Sequence, residues 1–221
     1  MRALEAFDIY RFYHVEEEET LALRGVSMYV ESGEIVAVQG PSGSGKSTLL
    51  ACLSGIDEPD GGYVTLMGKR ITRQPEAARA AARAKSMGIM LQSGNLFDHL
   101  NVEDNIHLQM HLAGRIDMKR ADELIKLVGL QHRRYARPAH ISGGETARAG
   151  LAVALAAEPG VLLADEPTGE VDAETEQQIL SLLSTYRENG GAVLAVTHSN
   201  AVAACADRTL HLFDGRIVDD V

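Results

Sequence analysis

The stretch Gly40-Pro-Ser-Gly-Ser-Gly-Lys-Ser-Thr48 restricts what this chain can fold into more than any other. It follows the pattern G-x-x-x-x-G-K-[ST], with glycines at 40 and 45, then Lys46 and Ser47. The apolar run Ile35-Val-Ala-Val-Gln39 before it reads as a buried parallel strand. Thr48-Leu-Leu-Ala-Cys-Leu53 after it opens a helix that Gly55 can close. A strand, a glycine-rich turn and a helix in that order make an anion nest. Small residues let backbone N–H groups turn inward, and the positive end of the helix dipole adds to them. Gly40, Pro41, Ser42, Gly43, Ser44, Gly45, Lys46, Ser47 and Thr48 are therefore the first candidate binding segment. Lys46 can reach the outer phosphates of a nucleotide, and the Ser47 hydroxyl can hold Mg²⁺.

At 221 residues the chain suits one domain, 1–221, with a substantial core. Hydrophobic residues make up 45% and charged ones 24%, so disorder is not expected. A formal net charge of −10 argues against a nucleic-acid partner bound over a broad basic face. Acids near the N-terminus break any signal-peptide pattern, and no apolar run reaches membrane-span length. The expectation is a cytoplasmic protein, peripheral on the cell membrane only through a partner. Cys52 and Cys205 lack metal-type spacing and read as buried free thiols.

Near-alternation from Leu4 to Val30 predicts strands, with Val15 to Thr20 as a solvated, acidic hairpin loop. Tyr63–Met67 and Met87–Leu91 read as further strands. Pro75 to Lys85 reads as a helix whose Arg79 and Arg83 share a solvated face. Helices are expected within 102–130, over 142–157 and over 173–188, with strands at 161–164 and 192–197 and a final hairpin at Asp214-Gly215. His107 and His111 stand one helical turn apart but lack a companion ligand in the pattern. Strands alternating with helices imply an α/β fold with a mainly parallel central sheet. An N-terminal antiparallel part precedes it, and the helical stretch 94–154 divides a core of 1–93 and 155–221.

Val161-Leu-Leu-Ala-Asp165 carries a carboxylate to the sheet edge where the glycine-rich loop opens, suited to Mg²⁺. Glu166 leaves the strand in another direction and is the natural base for a water attacking a phosphate. In Ile141-Ser-Gly-Gly-Glu145, Ser142 and Glu145 form a capping box, which needs no glycines. Gly143 and Gly144 in the first turn suggest a second anion-binding helix terminus.

With these residues in place, the chain resembles the ATP-binding-cassette (ABC) ATPases over nearly its whole length. Gly40–Thr48 resembles the Walker A motif, Leu162–Thr168 the Walker B region and Ile141–Glu145 the family signature. Gln92, Asp172, His198 and Tyr13 stand where the Q-loop glutamine, the D-loop aspartate, the switch histidine and the adenine-stacking aromatic would. Tyr13 alone also suits core packing. Gly40–Leu50, Asn95–Phe97 and Ala164–Gly169 look most like the lipoprotein-releasing and macrolide-exporting type. The sequence departs from the family pattern at Ile141, Glu145, Thr146-Ala147 and Gly150.

The resemblance implies ATP and Mg²⁺ as cofactors, with Ser47, Gln92 and Asp165 near the metal. It assigns catalysis to Glu166, His198, Lys46 and Gln92. Ser142, Gly143, Gly144, Glu145 and Asp172 would meet the nucleotide of a second copy, in a homodimer or heterodimer of ATPase subunits. Integral membrane permease subunits would dock near Gln92 to Leu100, against Leu96, Phe97 and Leu100. The rival readings are a force-transmitting regulatory complex that moves no solute, and a soluble non-transport ABC ATPase.

Overall fold

The computed structural model of the protein describes residues 1–15, 18–92, 95–169 and 171–218. Strands β1 (Arg2–Val15) and β2 (Glu18–Glu31) form a long antiparallel hairpin. Strands β4 (Gly61–Leu66) and β5 (Lys69–Arg70) extend it, in the order β2-β1-β4-β5. Leu4, Ala6, Leu23, Val26, Met28 and Val30 turn one face of the hairpin into the core. The expected loop at 15–20 is mostly strand: Tyr13 pairs with Thr20 and His14 with Glu19. Across the ladder His14 Nδ1 lies 3.4 Å from Glu19 Oε1, with both side chains 70% exposed. Glu16 and Glu17 lie outside the described residues.

The second sheet has the order β10-β9-β3-β8-β7-β6. In it β3 (Ile35–Gln39), β6 (Met87–Met90), β7 (Val161–Asp165), β8 (Ala192–Val196) and β9 (Arg208–Phe213) run parallel. Strand β10 (Arg216–Val218) closes the edge antiparallel to β9. Helices or the first sheet cover both faces, so the inner strands are apolar without alternation. Val36, Val38, Leu163 and Leu194 pack on α1 (Lys46–Leu53) and on the hairpin. Ile35, Leu162, Ala164, Val193 and Ala195 face the opposite way, into the helices.

Those helices are α3 (Val102–Leu112), α4 (Met118–Leu127), α5 (Gly143–Ala154) and α6 (Ala173–Glu188). Asn101, Asp117, Ser142 and Asp172 accept first-turn N–H groups, so each start is written locally. Ser199 caps α7 (Asn200–Cys205) in the same way. Helix α2 (Glu76–Ser86) follows Pro75. Its arginines are not a solvated face. Arg79 pairs with Glu58 and Glu76, and Arg83 donates to the Gly55 carbonyl at 2.7 Å, with side chains 15% and 19% exposed. They fasten α2 to the turn that ends α1.

Gly150 departs from the family pattern without a packing reason. A Cβ built there would meet Asn95 Cβ at 3.6 Å, an ordinary contact. Gly150→Ala is therefore expected to stabilise the fold by about 1 kcal/mol through helix propensity. Urea unfolding checks this, and a lower midpoint would show that the space is needed.

Candidate active site

The glycine-rich loop, the tip of the hairpin and the C-terminal edges of β7 and β8 enclose a cavity of about 830 Å³. From the loop, Ser42, Gly43, Gly45, Lys46, Ser47 and Thr48 line it. Tyr13, Gln92, Asp165, Glu166 and His198 line it from elsewhere in the chain. Parallel pairing of β7 with β8 sets Asp165 opposite Val196, which brings Glu166 and His198 to the same edge.

Gly40, Pro41 and Ser44 shape the loop without facing the cavity. A Cβ on Gly40 would sit 2.1 Å from the Leu212 carbonyl oxygen, so only glycine fits. Gly45 has φ 104°, and a Cβ there would meet the Ala22 carbonyl oxygen at 2.6 Å. Ser44 Oγ is buried without a hydrogen-bond partner among the described residues. The first turn of α1 has neither a side-chain cap nor an acid, leaving its N–H groups and positive dipole end to an anion. Lys46 Nζ donates to the carbonyls of Gly40 at 2.8 Å and Pro41 at 2.9 Å, which holds the ammonium at the loop. This set fits a polyphosphate.

Burial pushes the Asp165 carboxyl above the usual carboxylate range; the neighbouring Glu166 adds to the shift and Lys46 opposes it. A half-buried carboxylate that lines the same cavity as the Ser47 hydroxyl, with a second carboxylate adjacent, fits a divalent cation. Glu166 adopts φ 48°, uncommon for a residue with a side chain. Its backbone N–H donates to the Val196 carbonyl at 2.8 Å. Its Oε2 accepts from Thr197 Oγ at 3.2 Å and from the His198 N–H at 3.1 Å. His198 Nε2 lies 3.7 Å from Glu166 Oε1. Gly169 gives Glu166 room, since a Cβ there would stand 3.2 Å from Glu166 Cβ. The carboxylate is thus aimed by two donors and a turn, with its side chain 13% exposed.

Tyr13 sits at the rim, its hydroxyl donating to Asp57 at 2.9 Å and the Arg11 guanidinium 4.8 Å from its ring centroid. Gln92 borders a second cavity of about 290 Å³ with Glu166, Gly143, Thr146 and Gly150, so it stands between the catalytic edge and α5.

The remaining candidates do not join the main cavity. Ser142 and Glu145 form a complete capping box, and Glu145 also binds Arg133 and His132. Asp172 caps α6 and accepts from Thr175 Oγ at 3.1 Å. Gly144 has a packing reason of its own, because a Cβ would come within 2.7 Å of Thr175 Oγ1. The sequence reading missed Thr20, Ala22 and Arg24 on β2, and Asp214 and Gly215 in the last turn, which also line the cavity. Gly215 donates to the Ser44 carbonyl at 3.0 Å, and Arg24 pairs with Asp214 at 3.2 Å. Thr20 falls in the stretch expected to be loop and reaches the cavity by pairing with Tyr13 across the ladder; nothing local pointed to the last turn.

Comparison with known proteins agrees with this geometry. The family model described as ABC transporter matches residues 23–169. The chain is 37% identical over 222 residues to the lipoprotein-releasing system ATP-binding protein LolD of Hyphomonas neptunium, covering 99% of this chain and 97% of that one. It is 39% identical over 219 residues to the macrolide export ATP-binding/permease protein MacB of Chlorobium luteolum, covering 98% of this chain. The chain spans only 33% of that relative's length. A dimeric ATP-binding cassette in a post-hydrolysis state, bound to ADP and Pi, superposes with a TM-score of 0.93 at 32% identity, over 98% of this chain and 97% of that one. Cavity, loop and relatives lead to one assignment: the chain belongs to the ABC transporter family, as an ATP-hydrolysing cassette.

Proposed function

We propose that the chain is the ATP-binding and hydrolysing subunit of a membrane transporter, and that two copies sandwich two nucleotides. The observation that carries this reading is the separation of Ser142 and Glu145 from the cavity of Lys46 and Glu166. A helix start with free first-turn N–H groups that does not line the cavity of Lys46 suits the nucleotide of another subunit, although Gly143 borders the smaller cavity beside Gln92 and Glu166.

Within one subunit, Lys46 and the first-turn N–H groups of α1 hold the triphosphate, and Tyr13 takes the base. Ser47, Asp165 and Gln92 would hold Mg²⁺, which when bound would neutralise charge on the transferred phosphoryl group. Glu166 takes a proton from the attacking water as its oxygen bonds to the γ-phosphorus. The bond from that phosphorus to the bridging oxygen breaks, releasing ADP and phosphate. His198 sits beside Glu166 to donate a hydrogen bond to the γ-phosphate. Gln92 relays the state of the site to the helices of 94–154, which we treat as a moving arm on the catalytic core.

No helix among the described residues is long and apolar enough to cross a membrane; the proposed transporter places its membrane-spanning part outside these residues. A groove of about 340 Å³ offers that part a docking surface. Ile56, Leu91, Phe97, Leu108 and Leu112 line it. Leu96 and Leu100 do not; Leu96 packs against the core beside the helices. Asn105 fixes this edge, accepting from the Phe97 N–H at 2.7 Å and donating to the Asn101 carbonyl at 2.9 Å.

The test is purification of the tagged chain from membranes in mild detergent. A multi-span protein is expected in stoichiometric amount, and Phe97→Asp should cut its recovery by about tenfold or more. Phe97 is 53% exposed, so the variant should fold. Recovery of wild type only from the soluble fraction, with no membrane partner, would count against transport.

A further inference from the structure

We propose that Arg133, assisted by His132, is a positioning residue for the signature turn: it neutralises the Glu145 carboxylate so that Ser142, Gly143 and Gly144 can receive an anion from a second copy. The inference rests on the two-copy reading above.

The conflict it resolves is electrostatic. An acid in the first turn stabilises its own helix, because it sits at the positive end of the dipole. That same positive end is what an incoming phosphate needs. Glu145 therefore competes with the ligand that the two glycines suit. The capping box uses the N–H groups of Ser142, at 2.9 Å, and of Glu145, at 3.2 Å. The N–H groups of Gly143 and Gly144, the first helical residues, have no acceptor inside the helix. The turn is equipped to hold an anion, but a carboxylate stands within it.

The short 3-10 turn Gln131–Arg133 answers that charge. Arg133 Nε donates to Glu145 Oε1 at 3.0 Å, and His132 Nε2 lies 3.2 Å from the same oxygen. The box itself uses the other oxygen, Oε2, so the cap is complete without either neighbour. The Glu145 side chain is only 12% exposed, so water screens it poorly and a fixed cation matters more. Arginine stays charged at every working pH, so the compensation is permanent. The Ser142 N–H first, and then Arg133, hold the Glu145 carboxyl down at about 2, so this negative charge is present whenever the protein is folded at neutral pH.

A purely structural clamp and a charge-compensating one predict different double-variant behaviour. The experiment uses Glu166→Gln as parent and follows dimer formation by sedimentation as ATP is raised. Adding Arg133→Gln is expected to raise the ATP needed for half-dimerisation about tenfold, while ATP affinity of the monomer stays within about twofold. Adding Glu145→Gln as well should restore the parent's ATP dependence, because the charge and its neutraliser leave together. Arg133→Lys should lie near the parent. If Arg133→Gln matches the parent, or if Glu145→Gln fails to rescue it, the inference is overturned while the sandwich stands. If the parent itself stays monomeric at saturating ATP, the sandwich fails and takes the inference with it. Thermal melting of each variant confirms that it is folded.

Discussion

Glu166→Gln is expected to lower turnover by about a thousandfold while leaving ATP binding in place, and to accumulate a dimer under saturating Mg-ATP. The structure makes this substitution gentle to the fold. Glu166 Oε2 accepts from Thr197 Oγ and from the His198 N–H, and a glutamine oxygen can accept both. The strained backbone at φ 48° is also unaffected, because Gly169 and the Val196 carbonyl set it. On the proposed mechanism, what is lost is the ability to take a proton from water. Without hydrolysis the closed state has no exit through product release, so it builds up. Phosphate release and sedimentation measure the two effects. A variant that keeps more than about a tenth of the turnover would remove Glu166 from the role of base.

Ser142→Arg should abolish hydrolysis, by about a hundredfold or more, with monomer affinity for nucleotide changed by less than about twofold. Ser142 is not among the residues that line the cavity holding Lys46, so a large cation there does not touch the chain's own nucleotide. The loss of the cap costs about 1 kcal/mol, too little to unfold a domain of ordinary stability. Nucleotide titration and steady-state hydrolysis, run side by side, decide the matter. Equal loss in both would mean that the signature turn acts within a single chain.

Much of this was legible because the rules involved are local. Lys46 and Ser47 follow a spaced pattern, Asp165 ends an apolar run, and Ser142 with Glu145 is a cap written in adjacent residues. Helix α6 occupies the expected Ala173–Glu188. The misreadings share one cause, since they depend on what lies across a ladder or across the core. The acidic hairpin tip looked like loop because like charges are counted along the chain, whereas the ladder sets Glu18 opposite Val15 and Glu19 opposite His14. Arg79 and Arg83 looked solvated because Glu58 and Gly55 belong to another element. Leu96 turned inward while Leu112, unremarked in the sequence, turned out to the groove. Arg24 and Asp214 reach the cavity rim only after the last hairpin folds against β2.

That last hairpin also orders events in time. The phosphate-binding loop is made early, yet its strand β3 lies between β8 and β9, both from the end of the chain. The Ile35 N–H is held by Asp207, a partner 172 residues away in sequence, and the Ser44 carbonyl waits for Gly215. A ribosome that has released only the first two-thirds of this protein has exposed the whole glycine-rich motif but neither of the strands that hold it in shape. Nucleotide binding is therefore expected to appear only once synthesis has passed Gly215.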